Sequence, residues 1–230
     1  MITIRYTFAF QNKTKKVFRI QLHPETLALQ EKPGKGPSWA RLDFAPCDNC
    51  PLDVKKTDYY PVALRVSGVL EKFQKIRSFS KVVVTVETEE RTVTKRTSVQ
   101  KGLASLLGIY MVTSGCPVLE KLKPMVRYHL PFATVGETIY RAMTMYLAAQ
   151  YFRMKKGLPA NWDLDGLTQT YEDVNVVNAG FADRIRNAFQ HDANLNALIN
   201  LDIFAAYIKA PDKDKLHSLE HLFEPYLKES

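Results

Sequence analysis

Three cysteines carry the most specific chemical signal in this sequence. Cys47 and Cys50 stand in a Cys-Asp-Asn-Cys segment, and Cys116 follows much later in the chain. A two-residue spacing lets both sulfurs of a tight turn approach one centre, which is why it recurs at zinc and iron–sulfur sites. Because three thiols cannot all pair within one chain, metal binding or core packing is expected of them in a reducing compartment.

A closed tetrahedral site needs a fourth ligand beside the three thiols. His129, 13 residues after Cys116, is the first candidate, and His23 is its competitor. The expectation is a structural zinc ion held by Cys47, Cys50, Cys116 and His129, since zinc is the commoner occupant of closed sites with mixed sulfur and nitrogen ligands. An iron–sulfur cluster is the alternative, because two of the cysteines precede proline. The third interpretation has no metal, with Cys116 packed in the core and the Cys47/Cys50 pair free or transiently oxidised.

The distribution of charge is the second signal. The chain holds 32 Lys and Arg against 24 Asp and Glu, a net charge of +8. Residues 1–101 contain 19 of these basic and 10 of these acidic residues, or +9, which leaves 13 and 14, or −1, for the rest. A basic surface suits phosphates or an acidic partner. The candidate polyanion-binding residues surround two predicted turns: Lys13, Lys15, Lys16, Arg19, Lys32 and Lys35.

The elements that must position these residues differ between the two halves of the chain. Residues 2–10 alternate between apolar and polar side chains, which predicts a half-buried strand, and residues 17–22 complete an antiparallel hairpin. A second hairpin is expected around the Gly- and Pro-rich loop at residues 32–37. A helix should begin at Pro61, because apolar residues then recur at intervals of three and four. Residues 81–97 predict another hairpin that turns at Glu89 and Glu90.

Helical periodicity begins at Ser98. One helix should run from Val99 to the vicinity of Gly115, and Thr134 and Glu137 have the spacing of a capping box that opens another. That second helix is apolar on most sides, which predicts the central helix of a bundle. Further helices are expected to start at good N-cap residues, near Asp163, Asn175, Asp192 and Asp212.

These patterns predict an α+β fold: an N-terminal antiparallel β-sheet with one packed helix, followed by a C-terminal α-helical bundle. Residues 1–97 form the basic, β-rich half and residues 98–230 the helical half. Since no flexible linker separates the halves, they should share a core or an interface. A metal held by Cys47 and Cys50 of the first half and by Cys116 and His129 of the second would join the two.

The first functional hypothesis is a cytoplasmic, non-catalytic protein that contains this zinc site and acts through a protein partner. Polyanion or nucleic-acid binding by the basic half is the second, and an iron–sulfur or redox enzyme centred on the cysteines is the third. The glycine-rich phosphate loops and the Gly-x-Ser-x-Gly signature are absent from the sequence. No export signal and no apolar run of about 18 residues is present, so no membrane span is expected.

Overall fold

The computed structural model describes residues 1–73, 75–188 and 219–228. Its elements are β1 (Ile2–Phe10), β2 (Lys15–Leu22), α1 (Pro61–Phe73), β3 (Lys81–Glu87), β4 (Thr92–Ser98), α2 (Val99–Val112), α3 (Lys123–Arg127), α4 (Val135–Lys155), α5 (Asp165–Ala188) and α6 (Glu224–Leu227). Short 3-10 helices cover Ser38–Ala40, Leu119–Leu122 and Glu220–Phe223. The predicted α+β fold is confirmed. The helix starts expected near Asp192 and Asp212 lie outside the described residues.

The four strands form one antiparallel sheet in the order β2-β1-β3-β4. Tyr6 of β1 pairs with Phe18 of β2 on one side and with Val86 of β3 on the other. Even-numbered residues of these three strands point to the core, and Tyr6 and Phe8 have no exposed surface. The period of two in the sequence therefore identified the buried face of β1 correctly.

Helices α1 and α2 cover the buried face of the sheet. Phe73 at the end of α1 packs edge-on against Phe8, with ring centroids 5.0 Å apart. Helix α2 approaches the sheet closely at Gly102, where a Cβ atom would lie 2.8 Å from side-chain carbons of Phe8 and Val84. The start of α2 is fixed by Ser98, whose hydroxyl accepts a hydrogen bond from the Lys101 amide.

Helix α5 joins the same core from the far end of the chain. Buried residues of the sheet, α1, α2 and α5 form one hydrophobic cluster. Separate helices starting near Asp163 and Asn175 were expected, but one helix of 24 residues begins at Asp165 and continues through Asn175. The buried stripe of Val174, Val177 and Phe181 crosses that position without a break, and its packing outweighs the preference of asparagine for a helix start.

The second hairpin, expected around residues 32–37, was a wrong prediction. In its place Leu29 makes an isolated bridge to Leu22, and Arg41 makes another to Tyr59. The loop also contains Pro33 and Pro37, which cannot donate hydrogen bonds to a strand partner. The segment that follows pairs instead with the chain leading into α1.

Helix α4 begins as predicted but lies in a different environment. The Thr134 and Glu137 capping box is present in full. Of its 21 residues only Ala142 and Gln150 are buried, so α4 is not the central helix of a bundle. An apolar composition on most sides of a helix predicts that the helix is buried, but it does not specify which neighbouring element would bury it.

Candidate functional site

The three thiols lie in one region of the molecule but hold no metal site. Cys47 donates a hydrogen bond from Sγ to the Tyr60 hydroxyl over 3.1 Å, and the Cys50 amide donates to the Cys47 carbonyl over 3.0 Å. Burial raises the pKa of Cys47, and the neighbouring Cys50 and Cys116 thiols raise it further. Burial also raises the pKa of Cys116. Without a metal, these two buried thiols are therefore protonated near neutral pH.

The zinc and iron–sulfur predictions were wrong. The described part of the chain contains no group of three or more His, Cys, Asp or Glu residues able to hold a metal ion. All three cysteines are free, with no disulfide among them. The same finding overturns two of the functional hypotheses: the non-catalytic protein joined by a zinc site, and the iron–sulfur or redox enzyme. His23, the competing fourth ligand, accepts hydrogen bonds at Nδ1 from the Glu25 and Thr26 amides, each over 3.3 Å.

His129 lies in a separate hydrogen-bonded chain rather than beside the thiols. Its Nε2 is 2.6 Å from the Tyr6 hydroxyl, which is 2.8 Å from the Ser105 hydroxyl. Burial lowers the pKa of His129 from 6.5 to about 4, with a smaller contribution from the Arg141 guanidinium. At neutral pH the ring is uncharged, and a chain in which Ser105 donates to Tyr6 and Tyr6 donates to Nε2 gives each hydroxyl an acceptor.

His129 also lines a cleft of about 180 Å³ between the start of β1, the β3–β4 turn and the end of α3. Another cleft of about 190 Å³ lies between Pro46 and Gly180, beside the Cys47 loop. Pockets for small organic ligands usually measure about 300–1,000 Å³. Neither cleft reaches that size.

Arg184 is a buried residue that the sequence patterns did not single out. Its side chain has no exposed surface and donates to the carbonyl oxygens of Trp39 and Arg41, over 2.9 Å and 2.5 Å. The guanidinium lies 4.5 Å from the centroid of the Tyr60 ring. The sequence pattern could have indicated this burial, because Arg184 follows Phe181 by three positions and therefore lies on the same buried stripe of α5.

The six predicted polyanion-binding residues are divided between surfaces. Lys15 and Arg19 point away from the core, whereas Lys16 pairs with Phe8 and has Nζ 5.9 Å from the Phe73 ring centroid. Lys13 lies in the β1–β2 turn at φ 64°. The loop that contains Lys32 and Lys35 runs beside α1, where Gly36 lies against Leu64 and Tyr59. Strand alternation therefore separates charges that are neighbours in the sequence.

Lys15 and Arg19 belong to the face of the sheet opposite α1 and α2. This open face consists of the odd-numbered residues of β1, β2 and β3 and the even-numbered residues of β4, and none of its residues is buried. Five of its side chains are cationic and one is acidic: Arg5, Lys15, Arg19, Lys81 and Arg96, with Glu87 as the acid. Within the described ranges, no helix or strand packs on this face.

The register arranges these charges in rows across the strands. Arg5 lies opposite Arg19 on one side and opposite Glu87 on the other, with 3.7 Å between Arg5 Nη1 and Glu87 Oε2. Two like charges directly opposite each other destabilise a sheet. In another row, Lys15 and Arg96 stand at the two edges of the sheet. The face thus concentrates positive charge that its one carboxylate does not neutralise.

A family model described as "Domain of unknown function (DUF6901)" matches residues 4–224. The chain belongs to this family. The match extends from β1 through the sheet and the helices to α6, so the open face lies entirely within the family domain apart from Thr3. No curated protein and no solved structure matches the chain. Among the described helices of this family member, none has the length and apolar character required to cross a membrane.

Proposed function

We propose that the open face of the sheet binds nucleic acid through the phosphate backbone. The observation that carries this proposal is the set of five cations against one carboxylate on an exposed sheet face that no described element covers. Lysine and arginine bound to phosphates displace condensed counterions, which makes such binding favourable and strongly dependent on salt.

The shape of the face supports an extended phosphate chain as its ligand. Between Lys15 and Arg96 the row passes over Ala9 and Val83, two short side chains, so cations flank a shallow floor. Four strands spaced about 4.8 Å apart place these edges roughly 14 Å from each other. The neighbouring row includes Thr85 and Thr94, whose hydroxyls bond to each other over 3.0 Å, so one hydroxyl hydrogen of the pair is left to donate to a phosphate oxygen.

The composition of the open face also predicts that it would discriminate weakly between base sequences. None of its residues is Phe, Tyr or Trp. Aromatic platforms supply the base stacking by which many single-strand binders gain affinity, and the aromatic residues of β1 and β2 are directed to the core instead. Binding should therefore depend on charge and vary little with base sequence.

The test is anisotropy of labelled single-stranded oligonucleotides, titrated with the full chain over a series of salt concentrations. Each phosphate contact should contribute about −0.7 to the slope of log affinity against log salt. The Arg5→Gln/Arg19→Gln double variant should reduce the magnitude of the slope by about 1.4. A Lys32→Gln/Lys35→Gln variant, which loses the same charge beside α1, is the matched control and should keep the slope.

Two results would overturn the proposal. One is wild-type protein that shows no salt-dependent binding to oligonucleotides of any sequence. The other is equal loss of slope in the two double variants, since that outcome would assign binding to net charge rather than to the open face. Circular dichroism of both variants should match the wild type, because all four side chains are exposed.

A further inference from the structure

A second unexplained surface lies where α4 turns back towards α5. Tyr146 of α4 lies against Gly166 at the start of α5. Beyond Tyr146 helix α4 continues for nine residues, a projection of about 13 Å at 1.5 Å per residue. In this projection Gln150 is the buried residue.

The projection ends in an apolar tip. Its large apolar side chains are between 45% and 63% exposed: Tyr151, Phe152, Met154, Leu158 and Trp162. Within the described part of the chain, no other element covers them. Isolated apolar residues on a surface are ordinary, but five large ones exposed between Tyr151 and Trp162, two of them in ring contact, indicate a contact surface.

Hydrogen bonds hold the tip in shape. Arg153 donates from Nε to the Pro159 carbonyl over 2.7 Å, and the Asn161 amide donates to Gln150 Oε1 over 2.9 Å. These bonds fix the returning segment against the end of α4. The apolar side chains are therefore presented outwards by an ordered turn, which reduces the ordering cost of binding.

The charge of the tip differs from that of the helical half around it. Residues 148–162 contain three basic residues, Arg153, Lys155 and Lys156, and no acidic residue. Because residues 102–230 together carry −1, the other residues of that range carry −4. The positive charge is thus concentrated where the apolar side chains are exposed.

We infer that the tip binds the surface of an anionic lipid bilayer. Trp and Tyr favour the boundary between water and acyl chains, and neighbouring Lys and Arg are attracted to anionic headgroups. An interfacial apolar surface enters about 5–10 Å into this boundary, which a projection of about 13 Å allows. The occupant is a lipid surface because the tip combines exposed aromatic residues with charge complementary to anionic headgroups.

The test is co-sedimentation of the full chain with vesicles of phosphatidylcholine, with and without phosphatidylserine. Binding should require phosphatidylserine and weaken with salt. The Lys155→Gln/Lys156→Gln variant should lose roughly 30-fold in partitioning, at about fivefold per cation. Phe152→Ser/Leu158→Ser should bind weakly to both vesicle types. Both pairs of side chains are exposed, so these variants are expected to fold.

The Arg5→Gln/Arg19→Gln variant is the matched control, since it loses the same charge on the open face of the sheet. It should sediment with anionic vesicles like the wild type while losing the salt slope for oligonucleotides, so failure of either proposal is distinguishable from failure of the other. Fluorescence adds a local readout. In a Trp39→Phe background the emission of Trp162 should shift to shorter wavelength with anionic vesicles.

The inference is overturned if wild-type protein does not sediment with phosphatidylserine vesicles, or if the sheet variant and the tip variant lose binding equally. Sedimentation velocity provides the remaining discriminating measurement. A dimer that forms in wild type and disappears in Phe152→Ser/Leu158→Ser, without vesicle binding, would assign the tip to a second copy of the chain and overturn the lipid assignment.

Discussion

Several buried polar side chains of this protein have specific hydrogen-bond partners. Tyr6 bonds to Ser105 and His129, and Cys47 bonds to Tyr60. Burial raises the pKa of Tyr6 above its ordinary range and keeps its hydroxyl protonated. His129, selected from the sequence as a metal ligand, instead accepts a hydrogen bond from Tyr6 at the edge of the core, which explains why its ring is better neutral than charged.

The titration of His129 should make stability depend on pH. An unfolded histidine titrates near 6.5, whereas burial lowers the pKa of His129 to about 4, so the unfolded state binds more protons between these values. The stabilising contribution is complete above pH 6.5 and decreases as the pH falls towards 4, by up to roughly 3 kcal/mol. Urea denaturation at several pH values measures it.

A His129→Gln variant keeps an acceptor for Tyr6 but cannot titrate. Its free energy of unfolding should fall less than that of the wild type between pH 7 and pH 4.5. Equal pH dependence in the two proteins would contradict the assignment.

The helices are positioned by close contacts that their own periodicity does not reveal. Helix α2 lies so near the sheet at Gly102 that side-chain carbons of Phe8 and Val84 occupy the space of a Cβ atom. Helix α4 is the opposite case, because most of its apolar side chains are not buried by any neighbouring element of the described chain. A stripe of apolar residues therefore predicts that a helix forms, but it does not predict how closely that helix packs against its neighbours.

Two glycine substitutions should have opposite effects on stability. Gly68 in α1 is exposed, and a Cβ there meets no atom within 4 Å. Gly68→Ala should raise the free energy of unfolding by about 0.5–1 kcal/mol, through the higher helix propensity of alanine. Gly102→Ala should lower it by about 1–2 kcal/mol, because displacing Phe8 and Val84 costs more than that propensity gains. Chemical denaturation measures both, and a stabilised Gly102→Ala variant would show that α2 does not pack so closely.

Among the described residues, a hydrophobic core is combined with cationic side chains on the open face of the sheet and at the tip beyond Tyr146. Arg184 links α5 to the segment around Trp39, more than 140 residues earlier in the chain, through backbone carbonyls. The +9 of residues 1–101 is divided between the open face, the Lys32 loop and other exposed positions. The net charge of residues 1–101 therefore indicates a cationic surface only when each side chain is assigned to one face of the sheet or to a loop.

The Arg184 contact should be important for the stability of the whole fold. Arg184→Lys removes the guanidinium that lies over the Tyr60 ring and leaves buried carbonyl oxygens without a donor, at an expected cost of about 2–4 kcal/mol. Arg186→Lys is the matched control on the same helix. Its side chain is 45% exposed and pairs with Asp183, so it should change stability by less than about 0.5 kcal/mol. Thermal denaturation compares the two, and similar losses would contradict the role of Arg184.

Local patterns in the sequence were sufficient for the elements whose signal is short-range. The alternation in residues 2–10, the Thr134–Glu137 capping box and the β3–β4 hairpin all depend on neighbouring residues, and all are present in the structure. The Cys47–Cys50 turn was also expected from its spacing, but the spacing says nothing about whether a thiol becomes a ligand. That outcome follows from burial and from Tyr60, which is brought to Cys47 by the fold.

Long-range arrangement required the folded chain. The sequence placed the excess positive charge in the first half, but adjacent lysines at positions 15 and 16 point to opposite faces because side chains alternate along a strand. The exposure of α4, the burial of Arg184 and the open face of the sheet depend on contacts between residues far apart in sequence. Such contacts arise from the packing of one element on another, which periodicity within each element does not encode.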